Sequence, residues 1–249
     1  MAERRRKPVR LPRRVPGSRI HAELAAGIGM RILDGTYAPG SLLPKEAEWS
    51  RIFAASRTAV REAIKTLHGK GLLVSRPKVG SRVEPRERWN LLDRDVMAWH
   101  CAAMDRRLFL ASLQEVRRIL EPGAAMLAAR RRTPEQLAAL EAALEAMKTA
   151  SGEVAMVEAD VRFHLALLAA ANNDLLAPFG IIIEQALANM FDYTTRHNHR
   201  PERTLPLHAG VVSAIARQSP EEAQRAMSLL LDDTDEILQS AAPAAVTGP

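Results

Sequence analysis

Arg57, Arg61 and Lys65 recur at every fourth residue, so on a helix they form one basic stripe. Val60, Ala63, Ile64 and Leu67 fall at i, i+3, i+4 and i+7, a second face that is apolar and can pack. Ser56 and Thr58 place hydroxyls at the N-terminal end of the same helix. An arginine can hold guanine through two hydrogen bonds, and a recognition helix sends its N-terminal side chains into the major groove while its back packs on its neighbours. A helix N-terminus also suits a phosphate. Further on, Arg76, Lys78 and Arg82 crowd a short basic turn, placed to touch a duplex backbone or minor groove. The bland alternative is a solvated basic face on an ordinary helix.

A second chemistry lies in the other half of the chain. Asp160 and His164 stand one helical turn apart on the same face, His164 between Val161 and Leu168 of an apolar stripe and Asp160 at its edge. An Asp and a His turned toward a core are costly unless something satisfies them. A divalent metal would, since carboxylate and imidazole are natural ligands; so would a hydrogen bond between the two. Arg117, if it faces inward, needs an anion, and it could clamp a carboxylate with two bonds. Its alternative partner is Glu121, four residues on.

The elements that must hold these residues can be read from periodicity and punctuation. Residues 1–17, rich in Arg and Pro, read as a disordered basic arm. Ile20, Leu24, Ile28 and Ile32 mark the apolar face of a first helix, which Gly35 stops. A short helix over 45–53 follows, and then a third that Ser56 caps and Gly71 ends near residue 70. Leu72-Leu73-Val74 and Arg82-Val83 flank the basic turn as a small hairpin. Three helices closing on a hairpin make a winged helix-turn-helix over 18–85. Residues 86–95 read as a linker, 96–240 as an all-α bundle, and 241–249 as a frayed tail. The spacing predicts helices near 91–104, 107–131, 134–149, 153–171, 174–196, 205–218 and 220–240. Pro134, Pro178, Pro206 and Pro220 fall at or near starts, and Pro122 falls inside the second of these, where it should kink the helix. The fold class is therefore mainly α: an N-terminal winged helix-turn-helix and a C-terminal helical bundle.

Composition agrees with two modules. The 249 residues, 47% hydrophobic and 26% charged, suit a soluble globular chain with a real core. The net charge of +6 hides a split: residues 1–90 hold 20 Lys/Arg against 8 Asp/Glu, the remainder 15 against 21. The first module is built to meet a polyanion. One cysteine, Cys101, excludes an internal disulfide framework and reads as a buried apolar thiol in a reducing compartment. No signal peptide is evident, and the window 163–183 is too polar to span a membrane, so a cytoplasmic protein is expected. Trp49 and Trp99 read as packing residues, and His197 and His199 as part of a solvated loop.

Leu43-Pro44-Lys45-Glu46-Ala47-Glu48, Ser56-Arg57-Thr58-Ala59-Val60-Arg61-Glu62-Ala63, and Leu67 with Gly71-Leu72 closely resemble the GntR family of bacterial transcription regulators over residues 20–84. The resemblance implies operator contacts from Arg57 and Arg61, helped by Ser56 or Thr58. Many members carry a further DNA-contacting arginine where this chain has Ala47. Glu115-Val116-Arg117 with Glu121, Asp160 to His164, Asn173 and His208 resemble the FCD ligand-binding domain of the FadR subfamily, from about 91 to 240. That resemblance implies a small organic acid as effector, bound among Arg117, Asp160, His164, Asn173 and His208. It also implies a divalent metal, zinc or similar, on Asp160, His164 and His208. The family's fourth ligand falls at Leu230, which cannot coordinate. Three protein ligands can hold a metal that a bound acid completes; equally, the polar residues can bind the acid with no metal. The segment Arg88 to Val96 resembles the branch that includes the galactonate-operon repressor, which implies a sugar acid such as an aldonate.

The expected function is a DNA-binding transcription regulator, a repressor working as a homodimer on a palindromic operator and controlled by a small carboxylate. It is not expected to be an enzyme. Two rivals remain: a metal-dependent hydrolase with a basic accessory domain, for which no general base or nucleophile motif is found, and a constitutive DNA-binding protein whose C-terminal domain binds nothing.

Overall fold

Helix α1 (Gly17–Leu33) buries Leu24, Ala25, Ile28, Ile32 and Leu33. The computed structural model, which describes residues 17–76, 79–194 and 201–240, packs this face on α3 (Arg57–Gly69), which buries Val60, Ala63 and Leu67 in return. Ile20 departs from the expected face. It is 52% exposed and borders an open groove of about 550 Å³ with Phe53 and Ala59, because the packed stretch of α1 begins one turn later. The short α2 (Glu46–Ile52) is anchored by Trp49, fully buried between Phe53 and Tyr37 with ring centroids 5.6 Å away in each case.

The turn into α3 is set by Ser56, whose Oγ accepts from the Ala59 amide at 3.2 Å. The exit is set by Gly71. Its φ is +75°, and a Cβ there would lie 2.6 Å from the Arg88 carbonyl oxygen. Strands β1 (Leu73–Arg76) and β2 (Gly80–Val83) then pair antiparallel, with Leu73 opposite Val83 and Arg76 opposite Gly80. The segment expected as a linker begins on this unit. Arg86–Arg88 form a single 3-10 turn, and Trp89 is buried with its indole N–H donating to the Glu84 carbonyl at 2.9 Å.

The described residues fall into two compact units that divide between Asn90 and Leu91. The second is helical throughout: α4 (Arg94–Ala103), α5 (Arg106–Arg131), α6 (Pro134–Thr149), α7 (Glu153–Ala170), α8 (Gly180–Thr194), α9 (Pro201–Ala216) and α10 (Pro220–Ser240). Its starts carry the expected chemistry. Asp93 caps α4, Asp105 caps α5, and Thr133 with Gln136 forms a reciprocal box on α6, with Pro134 in the first turn. The main core joins α5, α6, α7, α9 and α10 around Leu140, Phe163, Leu167, Ile215, Met227 and Leu231. A smaller cluster, Met97, Phe109, Leu113, Ile182 and Ala186, seats α4 and α8 on α5. Cys101 lies half-buried against it, so the thiol is less enclosed than its sequence setting implies; burial still pushes its pKa up.

Two expected starts shift. The stretch expected as one helix from 174 begins as a 3-10 turn, Asp174–Phe179, and turns α-helical only at Gly180. Pro178 lacks the N–H that an α-turn there needs. Helix α9 begins at Pro201, so Pro206 lies inside it, not at its start. Pro122 is buried within α5, whose helix runs on to Arg131. Among the described residues no helix is long and apolar enough to cross a membrane. The expected arm, apart from Gly17, the tail, Lys78, His197 and His199 lie outside the described residues.

Candidate functional site

Helix α3 presents its basic stripe outward because its other face is committed to α1 and the core. Ser56, Arg57, Thr58, Arg61 and Lys65 are all exposed along one side. The Ser56 hydroxyl is already engaged as the cap, whereas Thr58 stays on the surface. Lys65 pairs loosely with Glu62 at 3.3 Å. Arg61 is held more firmly: Nε and Nη2 donate to the two carboxylate oxygens of Glu46 on α2, at 3.3 and 3.1 Å. On the hairpin, Arg76 is exposed, but Arg82 is half-buried and donates from Nη1 to the Gly40 carbonyl at 2.8 Å. Arg82 therefore braces the base of the wing on the segment before α2.

The second site is a buried polar cluster inside the helical unit. Helix α5 contributes Gln114, Arg117 and Glu121, which share one face at i, i+3 and i+7. Helix α7 contributes Asp160 and His164, and α9 contributes His208. Gln114, Arg117, Glu121, His164 and His208 are all less than 5% exposed; Asp160 lies at the edge, its side chain 23% exposed. Arg117 Nε donates to Glu121 Oε1 at 2.7 Å, and Nη1 reaches Gln114 Oε1 at 3.4 Å. The intrahelical partner, one of the alternatives open from sequence, is thus the one Arg117 takes.

The imidazoles are oriented from behind. His164 Nδ1 lies 2.8 Å from Glu121 Oε2, an ion-pair contact without the alignment of a full hydrogen bond. His208 Nδ1 donates to the Thr204 carbonyl at 2.9 Å. Both Nε2 atoms then converge on Asp160 Oδ1, at 3.4 Å from His164 and 3.1 Å from His208.

These contacts set the charges. Burial favours a protonated Glu121, but the Arg117 and His164 charges beside it outweigh burial and draw its pKa down to about 2. Burial likewise pushes Asp160 up, and hydrogen bonds from His164 and His208 overcome it, holding the carboxyl well below the usual range. For His164 burial favours the neutral ring and Arg117 adds to that. Glu121 and Asp160 prevail and raise its pKa to about 9. Arg117 Nη2 comes within 3.3 Å of His164 Nε2, two cations tolerated side by side because Glu121 sits against both.

Asp160, His164 and His208 offer three ligand atoms within 4.8 Å of one another, a donor set that fits a divalent ion. The backing of each Nδ1 by an oxygen is the outer arrangement that metal-binding histidines use. Leu230 is buried in the apolar core, so α10 supplies no fourth ligand at that position. Asn173 is not brought to this cluster: it is exposed, and its Oδ1 accepts from the Leu175 amide to start the 3-10 turn. Its short polar side chain after α7 is the signature of a cap as much as of a ligand contact. Sequence reasoning missed Gln114, whose amide also donates to the Leu231 carbonyl at 3.1 Å and ties α5 to α10. Its spacing to Arg117 and Glu121 was the available signal.

Two family models match the chain. Residues 20–83 match the bacterial regulatory proteins of the gntR family, and residues 112–233 match the FCD domain. The uncharacterized HTH-type transcriptional regulator YieP of Escherichia coli is 34% identical over 215 residues, covering 85% of this chain and 92% of that one. The galactonate operon transcriptional repressor of the same organism is 36% identical over 202 residues, covering 80% and 88%. Among solved structures, Lar of Listeria monocytogenes superposes with a TM-score of 0.58 at 18% identity, covering 93% of this chain and 98% of that one. GntR of Streptococcus agalactiae does so with 0.51 at 23%, covering 87% and 99%. These relatives are transcription regulators, not enzymes, which removes the hydrolase alternative. The chain belongs to the GntR family of DNA-binding transcription regulators, with a winged helix-turn-helix ahead of an FCD domain, and resembles the branch of the galactonate operon repressor.

Proposed function

We propose that this regulator is a cytoplasmic repressor whose operator affinity is set by a small organic acid bound in the helical unit. The observation that carries the reading is the cluster of Arg117, Glu121, His164 and His208, buried together inside the bundle with Asp160 at its edge. A fold needs no such cluster for stability, since buried ion pairs are often replaceable by apolar packing. An acid's carboxylate could be held there by Arg117 and His164, cationic donors that it would share with Glu121 and Asp160. The 36% identity to the galactonate operon repressor supports a sugar acid such as an aldonate.

The proposed operator contacts are Arg57, Thr58 and Arg61 to bases, with Lys65, Arg76 and Lys78 to phosphates. Ser56 and Arg82 act by holding α3 and the wing in place. A homodimer would set two such helices on the halves of a palindrome. Thermal-shift screening of aldonates and other carboxylates, followed by gel-shift titration of operator DNA, tests the reading. The expected result is a raised melting point with one acid and an altered operator affinity with the same acid. An acid series that moves neither sinks it.

Two forms of the acid site have support. The backed imidazoles favour a divalent ion on Asp160, His164 and His208, with the acid completing its shell. Such an ion would supply Lewis acidity toward a carboxylate oxygen. Against this, Arg117 and His164 already balance Glu121 and Asp160 in charge, which favours direct binding by the side chains. Repeating the thermal-shift screen after chelation separates the two: a shift that survives chelation belongs to direct binding.

A further inference from the structure

The contact between Glu46 and Arg61 is unlike the Lys65–Glu62 pair, which lies within α3. It joins α2 to α3 across fifteen residues of sequence, and it is a two-point fork: Nε to Oε1 at 3.3 Å and Nη2 to Oε2 at 3.1 Å. Its worth for stability is small, because the side chains are 67% and 39% exposed and exposed pairs contribute little. For DNA binding its charge is a liability, since a carboxylate on the element next to the basic stripe repels phosphates.

The guanidinium edge that Glu46 leaves open gives the pair a use. A guanidinium has five N–H donors on a rigid plane. Glu46 takes the side edge formed by Nε and one hydrogen of Nη2. The terminal edge, Nη1 and the other hydrogen of Nη2, remains, and it is the edge that meets guanine O6 and N7 end-on. Fixing the plane before binding removes rotamer freedom that would otherwise be lost on contact. The same carboxylate penalises binding that lacks the base contact, the repulsive element that specificity needs. Its neighbour Ala47 is exposed and offers no cation.

We propose that Glu46 is a specificity-determining positioning residue: it holds Arg61 for end-on reading of one guanine and weakens indiscriminate binding. This rests on Arg61 as a base-contacting residue. The test uses the full chain. Wild-type protein first selects a preferred duplex from a random-sequence pool. Affinities of wild type, Glu46→Ala, Glu46→Gln, Arg61→Ala and Glu46→Ala/Arg61→Ala are then measured for that duplex, for its single-base-pair variants and for a scrambled duplex. Arg61→Ala identifies the base pair that Arg61 reads. At that pair Glu46→Ala is expected to lose about tenfold in discrimination, the size of one good base contact. It should bind the scrambled duplex about threefold more tightly, for one repelling charge removed. In the double variant the Glu46 change should remove no discrimination beyond that already lost with Arg61→Ala. Glu46→Gln matches the shape and keeps one acceptor, so it should gain the same scrambled-duplex affinity and keep part of the discrimination; it carries the test if Glu46→Ala misfolds. Unchanged discrimination in the Glu46 variants, or a loss that adds in full to that of Arg61→Ala, overturns the proposal. If Arg61→Ala itself leaves every base preference intact, the Arg61 reading fails and the proposal falls with it.

Discussion

Glu121 is the pivot of the buried cluster. It is fully buried and touches both Arg117 and His164, so neither cation is enclosed without an anion beside it. Removing one member of such a pair strands the other's charge, whereas removing both leaves an apolar gap. Glu121→Gln should therefore lower unfolding stability by about 3–5 kcal/mol. Adding Arg117→Met should restore a large part of it. Urea unfolding of wild type, single and double variants checks this, and a double variant weaker than the single would contradict it. His164 makes a second expectation. Its pKa rises from 6.5 to about 9 on folding, so the folded state holds the proton more tightly than the unfolded one. The stability this gives is fully present below about 6.5 and is lost as pH rises through about 9. In chelator-treated protein the urea midpoint should fall across that window, and the fall should be smaller in His164→Asn. Equal pH profiles for the two proteins would count against the cluster's charge assignment.

Gly71 decides how α3 is joined to the wing. With φ at +75° and the Arg88 carbonyl 2.6 Å from any added Cβ, an alanine there is strained twice over, by backbone and by contact. Gly71→Ala should cost about 1–3 kcal/mol and weaken DNA binding by misplacing the hairpin. Gly69→Ala, where an added Cβ meets nothing within 4 Å, should be tolerated. Circular dichroism melts and gel-shift titration of both variants provide the comparison. The same elements show how far the chain could be read unaided. Helix α3 was legible because its apolar spacing, its Ser56 cap and its Gly71 stop all agree. Ile20 fitted its periodic stripe and yet is exposed, since periodicity gives a face but not the length over which a partner covers it. Pro206 suggests a start near 205 because proline favours starts, and α9 runs through it from Pro201. Asp160 and His164 could be paired by their spacing, one turn apart on a single helix. His208, 44 positions on from His164, entered only through family resemblance, because nothing local ties α9 to α7. Arg117 could be paired two ways, and only the packed bundle selects Glu121.

The charge split between the two units matches the proposed division of labour, a basic reader and an acidic sensor. Residues 1–90 supply the phosphate attraction, which salt screens, and the later residues, net acidic, add none. An acid bound among α5, α7 and α9 can alter operator affinity only if it binds more tightly to one arrangement of the protein than to another. That coupling is a single free energy shared by both ligands. If a saturating acid weakens operator binding by some factor, saturating operator must weaken acid binding by that same factor taken over both acid sites of the proposed dimer. A typical coupling of about 1–3 kcal/mol corresponds to roughly 5- to 150-fold, well within calorimetric reach. Calorimetric titration of the acid into free protein and into the protein–operator complex should return per-site affinities whose ratio, squared for the two equal sites of a dimer, equals that seen for operator with and without acid. The match must hold at one fixed salt concentration, because operator affinity alone moves steeply with salt. If the acid binds both forms equally while operator binding still changes when acid is added, the acid acts elsewhere than on this equilibrium. The buried cluster would then not be the sensor.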